Sequence, residues 1–155
     1  MRRLTALCFL CVLFFSCGSS ASSDTKLVKK AIDAFTDFYA EKDPKLLKGL
    51  FTSEPAAIVY GISNEVWKGE ETIRKKMEKT MDDVEDSNID VRDQVIKING
   101  NVAWFSQRGD WNYDYKGQRV QLEGVRMTGV LIYEGGKWQI AQLHSSYPVR
   151  AAQQQ

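Results

Sequence analysis

The chain has 155 residues, of which 43% are hydrophobic and 26% are charged, and its formal net charge is +1. This length fits one domain with its own hydrophobic core, and a near-zero charge excludes the strong positive field that nucleic-acid binding needs. At the N-terminus, Arg2 and Arg3 precede an apolar run over residues 4–15, and small residues follow. That order predicts a secretory signal peptide, and the run is too short for a membrane-spanning helix, which takes about 20 residues.

The end of this leader offers two cleavage sites. The sequence Phe-Phe-Ser-Cys, ending at Cys17, resembles a bacterial lipobox, in which the cysteine is lipidated and becomes the new N-terminus. Residues 18–23 are then a flexible tether. The alternative is ordinary cleavage after Ala21, because Ser19 and Ala21 form a small-x-small site. We therefore expect an exported protein, anchored to the cell envelope only by a lipid on Cys17, or else soluble in the periplasm or secreted.

The rest of the chain is predicted to form one domain over residues 24–149, between the signal peptide and tether (residues 1–21) and a tail (residues 150–155). All the cysteines lie in the leader, so the domain has no disulfide and no thiol chemistry. A first helix is predicted over residues 24–41, with Asp24 as its N-cap. Its apolar stripe has three- and four-residue spacing and consists of Leu27, Val28, Ala31, Ile32, Phe35, Phe38 and Tyr39.

Shorter elements follow. Asp43 is expected to cap a short helix that begins at Pro44, where the missing N–H of proline costs nothing. Residues 56–62 are apolar and partly β-branched, which is typical of a short strand. A third helix is predicted after Gly69, with Ile73 and Met77 facing inward.

From residue 88 the pattern changes to a period of two. It predicts strands near residues 89–98, 101–115, 118–133 and 137–146, joined by turns at residues 99–100, 116–117 and 135–136. Helices followed by an antiparallel meander indicate an α+β fold. The last two strands are apolar on both faces, since Met127 and Leu131 fall on one parity and Val130 and Ile132 on the other. The helices can cover one face, and we expect a second subunit to cover the other in a homodimer.

The C-terminal hairpin resembles a known family. Arg126-x-Thr128, a glycine turn, Trp138 and then His144-Ser145 before a proline are similar to the pattern of SnoaL-like domains, of the nuclear transport factor 2-like superfamily. The sequence Trp-x-Gly at residues 67–69 fits too, and the resemblance covers residues 24–149. It implies a cone, in which a strongly curved antiparallel sheet wraps around the N-terminal helices and leaves a pocket at its open end. Such domains include ketosteroid isomerases, cyclases, dehydratases and a kinase association domain, so function has to be argued from the site.

Six residues are candidates for ligand binding, and His144 is the first because it is the only histidine. It could act as a general base or hydrogen-bond donor, or it could be a structural residue in the core or at a dimer contact. In the similar kinase association domain, pocket arginines match Gly129 and Ser145. Neighbouring residues of a strand point to opposite faces, so this resemblance implies that His144 faces away from the pocket. Because glycine and serine replace both arginines here, an anionic ligand of that kind is not expected.

The other candidates have competing interpretations as well. Arg126 and Thr128 share a face and could bind an anionic or carbonyl oxygen, or Arg126 could form a salt bridge with a nearby acid, Glu123 or Asp110. Tyr39 loosely resembles the oxyanion-binding tyrosine of the isomerases, or is a buried tyrosine with a satisfied hydroxyl. Trp67 and Trp104 are the tryptophans expected in a pocket, or they are core or interface residues.

The absence of certain residue types limits the reactions and cofactors that can be expected of the domain. Residues 56–62 contain no Asp or Glu, although the similar isomerases place a carboxylate base there. No cluster of histidine and acidic residues predicts a metal site, and no glycine loop predicts phosphate binding, so we expect no cofactor. Three hypotheses remain: binding of a small organic ligand in an apolar pocket, an enzyme of the cyclase, dehydratase or isomerase kind that uses His144 or Tyr39 with Arg126, and a non-catalytic dimeric interaction domain.

Overall fold

The structure is a computed structural model that describes residues 20–148, with side chains from residue 24 onward. Residues 1–19 of the predicted signal peptide and tether, which include Cys17, and the tail at 150–155 lie outside the described residues. Helix α1 is followed by a short 3₁₀ helix, two short strands, helix α2 and four long strands. Their bounds are α1 Ser20–Glu41, 3₁₀ helix Pro44–Leu47, β1 Ile58–Tyr60, β2 Val66–Lys68, α2 Glu70–Met81, β3 Val84–Asn99, β4 Val102–Tyr115, β5 Gln118–Glu134 and β6 Lys137–Ser146.

Helix α1 buries the side that its apolar spacing predicts, and Val28, Ile32 and Phe35 are almost fully covered. Two details of the prediction are wrong. Leu27 is 49% exposed, because it precedes the stripe by about 100° of helical rotation. The helix also includes Ser20 and does not begin at Asp24, since the intervening residues contain no helix breaker and each one that joins the helix adds a backbone hydrogen bond.

The next two helices confirm their predicted caps and inner sides. Asp43 accepts a hydrogen bond from the backbone N–H of Lys45 at 2.9 Å, directly before Pro44. Helix α2 begins after Gly69, whose φ is 82°, a left-handed value that favours glycine. Its residues Ile73 and Met77 are fully buried.

The six strands form one sheet in the order β2-β1-β6-β5-β4-β3. Strands β3 to β6 make the predicted antiparallel meander. The sheet as a whole is mixed, because β1 runs parallel to β6, and β2 was not predicted. Strands of three residues are too short for a period of two to reveal them or their partners. Strand β3 also begins at Val84, earlier than predicted, because a register shift after Glu85 interrupts its alternation.

The two faces of the sheet differ in what covers them. The inner face packs against the helices, and along β4 it carries Ala103, Phe105 and Trp111, which are buried. The outer face carries the alternate residues, such as Trp104, which is 48% exposed. Register shifts occur in β3–β4, β4–β5 and β5–β6, and such bulges bend a sheet. The bent sheet does not close, so two helices pack inside an open cone. Within residues 20–148, no helix has the length and apolar character needed to cross a membrane.

Candidate functional site

The inner face and the helices enclose a cavity of about 540 Å³, a volume within the range of small-molecule sites. Every long strand and both α-helices contribute to its walls. Its apolar wall is formed by aliphatic, sulfur and phenyl side chains from both helices, from β1 and the turn after it, and from β3, β5 and β6: Phe35, Val59, Ile62, Met81, Val84, Ile89, Leu122 and Leu143. A ligand there would pack its apolar part against these side chains.

One side of the cavity is aromatic. Trp111, Tyr113 and Tyr115 alternate along β4 and therefore face the same way. The ring of Tyr39, from α1, lies 5.7 Å from that of Trp111 between centroids. Trp67, from β2, lines the cavity as well. These rings give the cavity an aromatic side, against which a flat or cationic group can pack.

Tyr39 places a hydroxyl in this wall. Burial raises the pKa of its phenol far above the ordinary value, and the nearby Glu65 and Tyr113 raise it further. The phenol is therefore neutral at physiological pH and keeps its proton as a hydrogen-bond donor. Within the described residues the hydroxyl of Tyr39 has no hydrogen-bond partner, and the same holds for the hydroxyl of Ser145 on β6. Both groups are available to a ligand.

Glu65 lies in the turn that joins β1 to β2 and lines the cavity. The backbone N–H of Ser63 donates to its Oε2 at 3.0 Å, and the N–H of Gly61 donates to its carbonyl oxygen at 2.9 Å. A Cβ at Gly61 would lie 2.5 Å from that same Oε2, so glycine at this position lets the carboxylate rest against the turn. In the part of the chain that the structure describes, no lysine or arginine pairs with this carboxylate.

Gly129 shows how the inner face is filled beside the cavity. A Cβ there would lie 2.5 Å from Cε1 of Phe105 and 2.7 Å from the carbonyl oxygen of Gln142. The phenyl ring therefore occupies the space that a side chain at this position would need. With glycine here and Ser145 on β6, the two positions that match arginines in the kinase association domain bring no cation to the cavity.

Comparison with known proteins agrees with this geometry. The family model described as the SnoaL-like domain matches residues 28–150. The chain belongs to the SnoaL-like family.

Solved structures share the cone. This SnoaL-like domain is similar to a candidate dehydratase of the nuclear transport factor 2-like family from Streptomyces avermitilis, at 16% identity and a TM-score of 0.74 over 83% of this chain and 99% of that protein. It is also similar to a nuclear transport factor 2-like superfamily protein from Salmonella enterica serovar Typhimurium, at 18% identity and a TM-score of 0.74 over 86% of this chain and 97% of that one. A third similar structure is a protein with a cystatin-like fold from Caulobacter vibrioides, at 13% identity and a TM-score of 0.68 over 82% of this chain and 91% of that protein. These likenesses show the fold alone. No curated protein matches the chain.

The candidate residues from the sequence are divided between the two faces of the SnoaL-like domain. Tyr39 and Trp67 line the cavity. The other four, Trp104, Arg126, Thr128 and His144, lie exposed on the outer face. His144 there faces Thr128 in the β5–β6 register, and its ring lies 6.1 Å from that of Tyr60 between centroids. The structure therefore does not bring His144 or Arg126 together with Tyr39.

Arg126 is opposite Arg108 in the β4–β5 register. Neither of the two acids considered as its partner pairs with it among the described residues. Asp110 instead pairs with Arg92 and accepts a hydrogen bond from the N–H of Gly124. Arg126 is thus a solvent-exposed cation on the outer face.

Several cavity residues were not among the candidates from the sequence. Trp111, Tyr113 and Tyr115 could have been found, because aromatic residues at every second position of a strand share one face. Glu65 carried no such signal, since a turn has no periodicity and Glu65 lies beyond the predicted strand at residues 56–62. Within residues 20–148, no group of three or more metal-ligating side chains is present.

Proposed function

We propose that this SnoaL-like domain binds a small organic molecule in its cavity. One observation carries the proposal: a space of about 540 Å³ with apolar walls, lined by polar groups that each keep at least one oxygen atom unpaired in the described chain. These groups are the hydroxyls of Tyr39 and Ser145 and the carboxylate of Glu65. A few polar groups in an apolar cleft are the common form of a small-molecule site, because apolar contact supplies affinity and the polar groups fix orientation.

A neutral fluorescent probe, N-phenyl-1-naphthylamine, tests this proposal. It is expected to bind the purified domain with increased fluorescence, and Ser87→Trp is expected to abolish that increase by filling the cavity from β3. Ser106→Trp, which adds the same side chain on the outer face, is the matched control and should bind normally. Failure of the wild-type domain to bind, or equal binding by a folded Ser87→Trp variant, would contradict the proposal. Native mass spectrometry of the mature protein would also detect a ligand that co-purifies.

A second candidate function is acid–base catalysis on a neutral ligand. It is favoured by the carboxylate of Glu65 and the neutral phenol of Tyr39, which line the same cavity. Glu65 would accept a proton, and Tyr39 would donate a hydrogen bond to the oxygen that gains charge. Exchange of the α-hydrogens of a cyclic ketone for deuterium, measured by NMR, tests this reaction. Loss of that exchange in both Glu65→Gln and Tyr39→Phe supports it, and no exchange above the buffer rate refutes it.

We also propose that the domain is exported and held in the cell envelope by a lipid on Cys17. The leader sequence supports this, because a positive start, an apolar run and a cysteine followed by small residues occur in that order. The mass of the mature protein tests the anchor. A lipidated species that begins at Cys17, and its loss in Cys17→Ser, are the expected results. An unmodified chain that begins at residue 22 would instead indicate cleavage after Ala21.

We further propose that a second copy of the domain covers the outer face. The support is a set of apolar and aromatic side chains there that are exposed in the single chain: Tyr60 at 39%, Val102 at 36% and Trp104 at 48%. Exposed aromatic groups on a sheet face are typical of protein interfaces.

A further inference from the structure

We propose that the cavity selects an organic cation, a molecule with an apolar body and one ammonium group, held by the carboxylate of Glu65 and the faces of the surrounding aromatic rings. This inference rests on the proposed function, because it names the class of ligand that the same cavity binds.

The first support is the charge of the cavity wall. Among the described residues that line the cavity, Glu65 is the one acidic side chain, and none is lysine, arginine or histidine. Burial raises the pKa of both Tyr39 and Tyr113, so neither phenol ionises at neutral pH. The wall therefore carries one negative charge beside an apolar interior. Such a field attracts a cation and repels an anion, and the low-dielectric walls strengthen it.

The second support is the position of that charge. One oxygen of Glu65 is held by the N–H of Ser63 at 3.0 Å, which fixes the carboxylate without neutralising it. Its other oxygen has no partner in the described chain. Glu65 lines the same cavity as two phenols of the wall, and after burial its charge is the next cause that raises the pKa of Tyr39 and of Tyr113.

The third support is the aromatic wall. A cation over the face of a tryptophan or tyrosine ring is attracted by the ring's quadrupole. The cavity is lined by three such residues, Trp67, Trp111 and Tyr113. The rim already contains one such contact, because the ammonium group of Lys116 lies 5.3 Å from the ring centroid of Tyr115. Lys116 is paired with Asp83 at 3.4 Å and is not among the residues that line the cavity.

A matched pair of probes tests the inference. Benzyltrimethylammonium and neopentylbenzene have the same shape and differ by one nitrogen cation in place of a carbon atom. Each is titrated against bound N-phenyl-1-naphthylamine, and the concentration that displaces half of it is measured. The cation is expected to compete more strongly than its neutral isostere. In Glu65→Gln the cation should lose about five- to tenfold in affinity, a range set by a carboxylate that remains open to water.

Two further variants sharpen this experiment. Gly61→Ala forces the carboxylate of Glu65 aside and should reduce the preference for the cation without removing the charge. Glu134→Gln removes an exposed carboxylate at the far end of β5 and should leave the preference unchanged. For each variant the preference is the ratio of its affinities for the cation and for neopentylbenzene, and in Glu134→Gln both affinities are expected to stay at the wild-type value.

The outcomes separate this inference from the function on which it rests. If N-phenyl-1-naphthylamine binds and the neutral isostere competes as well as the cation, ligand binding stands and the choice of a cation is overturned. A cation preference that survives in Glu65→Gln also overturns it. If N-phenyl-1-naphthylamine itself does not bind, the proposed function and the inference fail together.

Discussion

Gly129 lies where the sheet leaves no room for a side chain, and a single added methyl group tests the packing beside the cavity. In Gly129→Ala the new Cβ would lie 2.5 Å from Cε1 of Phe105 and 2.7 Å from the carbonyl oxygen of Gln142. The phenyl ring can rotate away. The carbonyl cannot, because it belongs to the backbone of β6, so strands β5 and β6 must shift to admit the methyl group.

The magnitude follows from two opposing effects. An extra methyl group in a well-packed core costs about 1–3 kcal/mol. Replacing glycine by alanine returns about 0.4–1 kcal/mol, because the unfolded chain becomes less flexible. We expect the free energy of unfolding to fall by about 1–2 kcal/mol and the melting temperature to fall by about 4–8 °C.

Urea denaturation followed by tryptophan fluorescence measures this change. Thr128→Ala is the control, since it alters the adjacent residue on the exposed outer face and should change stability by less than about 0.5 kcal/mol. Phe105→Leu combined with Gly129→Ala should recover only part of the loss, because the Gln142 carbonyl remains. If Gly129→Ala is as stable as the wild type, the ring and the carbonyl do not close over this glycine and the inner face is packed differently.

Three more predictions concern the cavity, the outer face and the core. Burial raises the pKa of Tyr39 in the folded state, so the neutral phenol stabilises the fold fully below pH about 10, and this stabilisation is lost above that pH by up to about 1.4 kcal/mol per pH unit. Between pH 9 and pH 11, the free energy of unfolding measured in urea should therefore fall less in Tyr39→Phe than in the wild type. An equal fall in both proteins would contradict the burial of this phenol. Trp104→Glu should convert a dimer to a monomer in light scattering, whereas Leu27→Glu, at a residue of equal exposure on α1, should not; a monomeric wild type at micromolar concentration would end the dimer proposal. Ile73→Ala removes a fully buried side chain of α2 and should cost about 2–5 kcal/mol in urea denaturation, so a loss below 1 kcal/mol would contradict its place in the core.

The long strands could be predicted from the sequence because each spans enough residues for its alternation to be read. In β4 every second residue from Ala103 to Trp111 is buried, and a glycine pair or an equivalent turn bounds each hairpin. The short strands could not be predicted in the same way. Pairing of β1 with β6 aligns Val59 with Leu143, which are more than 80 residues apart in the chain, and no local pattern encodes such a contact.

The site was harder to predict than the fold, and strand geometry explains why. The hairpin pattern that carries the family resemblance runs through Arg126, Thr128 and His144, which share one parity and lie on the outer face. The cavity is lined by residues that alternate with these along the strands, such as Ser145 and Leu143, and by Glu65 from a turn. A shift of one residue along a strand moves a side chain to the other face, so a motif can indicate the strand correctly and still miss the residues that meet a ligand. Within this cone, changes to the immediate neighbours of the motif residues, and not to the motif residues themselves, should therefore alter what the cavity binds.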